Sequence, residues 1–255
     1  MRTDLHPDAF RRLRRGRFGE PYLYVRECAS TQELLRDPAL PEGTVAVAEH
    51  QTSGRGRLGR TWEDAPGSSL LCSLLLRPGG GVLPQLSLVA ALATAEAVEA
   101  ATGREAQLKW PNDVLVDGHK VAGILLEAVE GGVVAGIGIN VGQESDELPA
   151  GTRTPAGSLR TASGRRHDRG ELLAGLLLRL ELAYDAWREG GLETLRGELE
   201  RRNALRGQSV HIGEAHGIAG GIASGGGLEV VLRSGERIVV ESGEVELAGG
   251  VDVGE

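Results

Sequence analysis

At 255 residues the chain is long enough to bury a sizeable core and suggests about two domains, while a formal net charge of -8 argues against a dedicated nucleic-acid binder, which carries a basic footprint. No apolar run approaches the ~18 residues of a membrane helix, and the opening MRTDLHPDAF has neither an apolar h-region nor a cleavage site, so a cytoplasmic protein without membrane partners is expected. Cys28 and Cys72 are too few for a disulfide framework or a metal cluster, and Cys72, in an apolar run, reads as a buried small hydrophobe.

Taken in chain order, a helix over about Pro7 to Arg15 leads into a strand at Tyr22 to Glu27. Ser30-Thr31-Gln32-Glu33 fits a capping box, with Ser30 as N-cap and Glu33 reaching back, and predicts a short helix to Arg36. Strands are expected at Thr44 to Glu49 and Leu70 to Arg77, and a long helix from Pro84 through Ala101, where apolar residues recur at three and four spacing. Four strands follow, Ala106 to Trp110, Val114 to Val116, Lys120 to Val129 and Val133 to Ile139, with Asp117-Gly118 and Gly131-Gly132 as hairpin signals. The sheet is therefore antiparallel at least in part. Residues 141 to 165, rich in Gly, Ser, Thr and Pro, read as a mobile loop, and helices are expected at Asp168 to Arg188 and Leu192 to Asn203. From Leu205 the pattern becomes short glycine-broken runs, SVHIG, HGIAGGIA, LEVVL, RIVVE and EVELA, which predict a small barrel. The chain thus divides into residues 1–203 and 204–255.

Two stretches carry chemistry. QTSGRGRLGRTW, from Gln51 to Trp62, formally matches G-x-G-x-x-G, yet no helix starts after it, as a dinucleotide fold requires, and it has no Walker lysine. What remains is a loop whose glycines let backbone amides approach an anion while Arg55, Arg57 and Arg60 neutralise phosphate charge. The second is KWPNDVLVDGHK, which holds Lys109 and Lys120, the only lysines in a chain whose other 26 Lys-plus-Arg positions are Arg. A lysine offers a compact charge that sits at a carboxylate or phosphate oxygen without bidentate geometry. Asp113 lies across an Asp-Gly turn from Lys120, and the alternation of strands permits the two to face each other. Gly136 and Gly138 fall two apart in a strand, so both face one side, where a flat ligand can touch backbone.

These motifs, Ser30-Thr31, Gln51 with GRGRLGRTW, KWPND from Lys109, KVAGI from Lys120 and GIGIN from Gly136, resemble in order and spacing those of the biotin protein ligases, in particular the short form without an N-terminal DNA-binding domain. The likeness covers nearly the whole chain. It implies an α+β fold: a mixed, largely antiparallel sheet flanked by helices, like the class II aminoacyl-tRNA synthetases and the biotin-lipoate ligases, followed by an SH3-like C-terminal barrel. It also implies an ATP-dependent enzyme that forms biotinyl-5'-AMP and passes the biotinyl group to a lysine of a carboxylase's biotin carboxyl carrier domain, with Mg²⁺ accompanying ATP through ligands the sequence does not identify. By the resemblance, Ser30, Thr31, Gln32 and Gln51 lie at the ureido end of biotin and Ser73 lines its bicyclic ring. Arg55 and Gly56 of the loop approach biotin, and Arg57 and Arg60 the phosphates. Lys120 bridges the biotin carboxylate and the α-phosphate, with Arg57 and Asp113 as further catalytic residues. Trp62, Lys109, Asn112, Asp113, Ile139 and Asn140 line the adenylate, and Gly136 and Ile139 pack on the ligand. Three roles fit Asp113: orienting Lys120, helping to hold Mg²⁺ or assisting the incoming amine.

Gln32 stands where the family commonly has Asn, and Leu58 replaces a frequently basic residue. With only 29 residues before Ser30, a winged helix-turn-helix has no room, so no DNA partner is expected. A homodimer through paired sheet edges is an option the resemblance carries. The rival readings are a lipoate or octanoate protein ligase of the same fold, whose acyl-pocket motif is not found here, and a non-enzymatic biotinyl-AMP sensor, which has no need of Lys120 or Asp113.

Overall fold

The computed structural model describes residues 3–79, 83–243 and 245–247. Among these, seven strands form one sheet in the order β1-β2-β3-β7-β6-β5-β4. They are β1 (Tyr22–Cys28), β2 (Val45–Gln51), β3 (Ser69–Leu76), β4 (Ala106–Lys109), β5 (Asp113–Val116), β6 (His119–Val129) and β7 (Gly132–Asn140). Only β1 and β2 pair in parallel. The β5–β6 turn takes left-handed backbone at both Asp117 (φ 49°) and Gly118 (φ 78°), the conformation that Asp-Gly favours and that matches strand twist. The β6–β7 turn sits one residue earlier than the Gly131-Gly132 signal: Val129 pairs with Gly132, so Glu130 and Gly131 make the turn.

A short helix, α1 (Pro7–Leu13), precedes β1, and one face of the sheet carries the helices. α2 (Leu83–Thr102) lies against β4, β5 and β6 on one side and α4 (Arg169–Gly190) on the other, which is why it is apolar nearly all round. Leu70, Cys72, Leu74 and Leu76 of β3 and Val133, Ala135, Ile137 and Ile139 of β7 point into this core, as the two-residue alternation demands. The intervening residues of the same strands face the other side, where the site lies.

Three expectations change. No capping box forms at Ser30: residues Glu33–Leu35 make a 3₁₀ turn preceded by Gln32 with no side-chain cap. The Ser30 hydroxyl accepts from the Gln32 N–H at 3.4 Å, and the Glu33 carboxylate faces Arg55 at 3.9 Å. The stretch 141–165 is built rather than loose, with a 3₁₀ turn at Ser145–Glu147, α3 (Leu159–Ser163) and a reciprocal Ser158–Thr161 capping box. The helix expected over Leu192 to Asn203 is a 3₁₀ turn, Gly191–Leu195, running into α5 (Arg196–Arg202).

A second, five-stranded antiparallel sheet runs in the order β11-β10-β9-β8-β12, from β8 (Ser209–Ile212), β9 (Ala215–Ile222), β10 (Leu228–Leu232) and β11 (Arg237–Val240) to β12 (Glu246–Leu247). Of the EVELA run, Glu244 and Ala248 lie outside the described residues, as do residues 249–255 of the C-terminal segment. This sheet is tied to the first: Trp110 Nε1 donates to the Gly226 carbonyl at 2.9 Å and Gln85 Nε2 to that of Ser224 at 3.1 Å. Among the described residues no helix is long and apolar enough to cross a membrane.

Candidate active site

The helix-free face of the sheet presents a strip of missing side chains. Gly123 of β6 and Gly138 of β7 are direct register partners, and Gly136 pairs with Ser73 of β3. The strip is tightly covered: a Cβ on Gly138 would come within 2.6 Å of the Trp62 indole, and one on Gly136 within 2.8 Å of the Gln32 side chain.

Lys120 reaches this face because β6 is irregular. It lies three positions from Gly123, which in a regular strand puts the two side chains on opposite faces. The register shifts, however: Asp113 pairs with Gly123 and Val114 with Ala122, but Leu115 pairs with Lys120, leaving Val121 as the extra residue. Lys120 shares the face of Asp113 through its pairing with Leu115, the bulge brings Gly123 onto that same face, and the Lys120 ammonium lies 2.8 Å from the Asp113 carboxylate. Residues 155–157 take up the bulge's backbone, the Lys120 N–H donating to the Pro155 carbonyl at 2.7 Å and the Gly157 N–H to the Lys120 carbonyl at 2.9 Å.

At the other end of the strip five polar side chains, Ser30, Thr31, Gln32, Gln51 and Ser73, lie close together. Ser30, Thr31, Gln32 and Ser73 are all buried. The Thr31 hydroxyl lies 2.7 Å from that of Ser73, and Gln51 Oε1 accepts from the Thr31 N–H at 2.7 Å and its hydroxyl at 3.1 Å. Gln32 Nε2 donates to the Leu125 carbonyl at 3.1 Å.

The glycine and arginine loop lies beside this floor, lining with Leu125 and Glu127 an open cleft of ≈ 720 Å³. Its arms pair at Arg55 and Thr61, and the Gly56 N–H donates to the Arg60 carbonyl at 2.7 Å. Its tip is a 3₁₀ turn, Arg57–Gly59, in which Leu58 takes left-handed backbone (φ 56°) and is 68% exposed. Arg57 turns inward to Asn112 Oδ1 at 3.4 Å; burial pushes its guanidinium below the ordinary range, against the pull of Asp113. Arg55 turns the other way, its Nη2 3.2 Å from Glu127. Trp62 follows the loop, its ring over Gly123 and Gly138 and 5.9 Å from the Lys120 ammonium. The structure thus brings Arg57, Trp62, Asn112, Asp113 and Lys120 together.

Asn112 is fixed by a donation of Nδ2 to the Ile124 carbonyl at 2.8 Å. Lys109 is directed to the Thr154 hydroxyl at 2.7 Å, and burial pushes its ammonium down while Asp113 opposes that. Ile139 departs from expectation: its side chain is wholly buried in the helix-side core, because a residue one from Gly138 must face the other way, and it does not pack on the strip. Gly123, within the KVAGI run, and Glu127 join the site without having been expected there; the bulge that gives Gly123 its role has no local sequence signal. Among the described residues no group of three or more His, Cys, Asp or Glu side chains is placed to hold a metal ion.

Residues 25–144 match the model of the "Biotin/lipoate A/B protein ligase family". The chain is 36% identical over 242 residues to the "Biotin--[acetyl-CoA-carboxylase] ligase" of Paracoccus denitrificans, covering 88% of this chain and 98% of that protein. It is 42% identical over 176 residues to the "Bifunctional ligase/repressor BirA" of Bacillus spizizenii, covering 65% of this chain and 54% of that one, so the chain spans about half of that relative's length. Among solved structures, "Biotin protein ligase from Aquifex aeolicus in complex with biotin and ATP" superposes with a TM-score of 0.80 at 35% identity, covering 88% of this chain and 97% of that one. With a site of this geometry and relatives that it covers nearly whole at 35–36% identity, the chain belongs to the biotin protein ligase family.

Proposed function

We propose that the protein is an ATP-dependent ligase that joins biotin to ATP as biotinyl-5'-AMP and then transfers the biotinyl group to one lysine of a biotin carboxyl carrier domain, acting in the cytoplasm. The observation that carries this reading is one glycine-floored strip with a neutral polar cluster at one end, buried Thr31 and Ser73 with half-buried Gln51, and two inward-turned cations at the other, Lys120 and Arg57. Biotin has the same polarity, a neutral ureido ring at one end of an apolar body and a carboxylate at the other.

In the first step a biotin carboxylate oxygen attacks the α-phosphorus of ATP, an O–P bond forms and pyrophosphate leaves. Two anions must meet, so the task is positioning and charge compensation. Lys120 lies between the strip and Asp113, where one ammonium serves both a carboxylate and an α-phosphate oxygen. Arg57 is held on Asn112, beside Asp113, and faces the same meeting point. Arg60 and Lys109 add positive charge for the phosphates, and Asn112 and Asn140 line the adenylate. A Mg²⁺ arriving with ATP would supply further charge compensation at the phosphates, with Asp113 as the nearby carboxylate that could help hold it. In the second step the carrier's lysine amine, having lost its proton, attacks the carbonyl carbon and AMP departs. Of the roles open to Asp113, the 2.8 Å ion pair supports orientation of Lys120.

Lipoate offers no ureido group, and an acyl chain of that kind would leave the Thr31–Gln51–Ser73 cluster without its partners, a penalty sites of this kind use to reject analogues. The test is incubation with biotin, MgATP and a carrier domain, followed by mass spectrometry. One biotinyl increment on the carrier is expected, and none with lipoate. An unmodified carrier, or an equal lipoyl increment, would refute the proposal.

A further inference from the structure

Past the Lys120 end of the strip, where β3 and β7 meet the 141–158 segment, runs a chain of buried hydrogen bonds that ends at Lys120. Gln143, 3% exposed, donates through Nε2 to the Ser69 hydroxyl at 2.7 Å and to Asn140 Oδ1 at 3.3 Å. Asn140, itself 7% exposed, donates through Nδ2 to the Gly157 carbonyl at 2.9 Å. Gly157 and Pro155 in turn hold the backbone of Lys120 at its bulge. The Ser158 hydroxyl closes the arrangement on the Gln143 carbonyl at 2.7 Å.

The polarity of this chain depends on Gln143. Both of its Nε2 hydrogens are committed, one to Ser69 and one to Asn140. Because Asn140 Oδ1 accepts there, its Nδ2 is the end left for the Gly157 carbonyl. A flipped Asn140 would set an amide oxygen against a carbonyl oxygen, and the strap at 155–157 would lose its tie. Burial raises the cost of any such mismatch, since no water replaces the lost partner.

We propose that Gln143 is a positioning residue for the nucleotide half of the site: it fixes the amide of Asn140 and, through Gly157, the bulge that presents Lys120. The inference rests on the ligase reading above and assigns Gln143 no contact with substrate. The biotin half, Thr31, Gln51 and Ser73, is built from other residues and shares no hydrogen bond with this chain.

The experiment is steady-state pyrophosphate release by the full chain, with ATP and biotin varied in turn, for wild type, Gln143→Met and Gln143→Glu. Gln143→Met keeps volume and removes the donor; KM for ATP is expected to rise about tenfold, the factor of one lost buried hydrogen bond, with KM for biotin within about twofold of wild type. Gln143→Glu cannot donate while ionised and should show the same rise at pH 8. Its KM for ATP should recover as the pH falls, because a protonated carboxyl regains a donor for Asn140, whereas Gln143→Met shows no such recovery. A role in packing alone predicts equal rises in both KM values, or a lower melting temperature with KM for ATP unchanged, and either result overturns the inference. So does loss of folding in both variants, or a Gln143→Glu profile parallel to that of Gln143→Met. Wild type separates this from the parent reading: no biotin-dependent pyrophosphate from it sinks the ligase assignment and this inference together, whereas active wild type with unperturbed variants sinks only the inference.

Discussion

Lys120 is held twice, by its side chain on Asp113 at 2.8 Å and by its backbone on Pro155 and Gly157. Its side chain is 30% exposed, so removing it leaves no cavity in the core and the fold should survive. Lys120→Ala is therefore expected to cut biotin-dependent pyrophosphate release by about 10²–10³-fold, the cost of losing one preorganised charge partner of a transition state, with the melting temperature near that of wild type. Release at the wild-type rate would remove Lys120 from the mechanism. The residue was legible from its type alone, a lysine in a chain that otherwise writes arginine. Its partner was legible only as an option, because hairpin alternation permits a contact without fixing it.

At the level of elements, β7 shows how closely the strip is fitted. Gly138 has no left-handed backbone to protect, so the sole demand on it is space: an added methyl would meet Trp62 Cε2 at 2.6 Å while the pairing with Gly123 and Leu71 stays available. Gly138→Ala should push the indole off the strip, lowering stability by about 1–3 kcal/mol, raising KM for biotin and changing the tryptophan emission. Unchanged KM with unchanged emission would mean that the ring does not rest there in solution. The strands and long helices were legible because period-2 and period-3.6 patterning records which face is buried. Gly136 and Gly138 were placed on one face by parity alone. The same parity misplaces Lys120, which lies three residues from Gly123, and only the extra residue at Val121 restores it to the strip. A bulge is set by what pairs on either side, here the distant segment 155–157, so no local signal announces it. The capping box failed for a related reason: Ser30 and Glu33 have the right types and spacing, but Glu33 turns to Arg55 instead of reaching back. Segment 141–165 looked loose by composition because its order comes from tertiary hydrogen bonds to Ser69, Asn140 and Lys120.

For the molecule as a whole, the sheet can spend one face on chemistry because α2 and α4 cover the other, and Arg169, at the start of α4, anchors that cover to the sheet. Its guanidinium, 8% exposed, lies 2.6 Å from Asp4 and 2.8 Å from Glu49 of β2, and donates at 3.3 Å to the carbonyl of Ser69, whose hydroxyl belongs to the Gln143 chain. Burial pushes the Asp4 carboxyl up, but the hydrogen bonds and charge of Arg169 outweigh it and hold the group below the ordinary value of 3.8. A carboxyl that is more acidic folded than unfolded contributes stability in full above the unfolded value and loses it as the pH falls through the folded one. Arg169→Met leaves two partly buried carboxylates without their cation, so at pH 7 it should cost about 3–5 kcal/mol. The difference from wild type should shrink as the pH drops below 3.8, where protonated Asp4 no longer requires the cation. Denaturant unfolding of both proteins across pH 3 to 7 reads this directly, and stability curves that stay parallel down to the acid limit would show that Arg169 holds α4 to the sheet by packing rather than by charge.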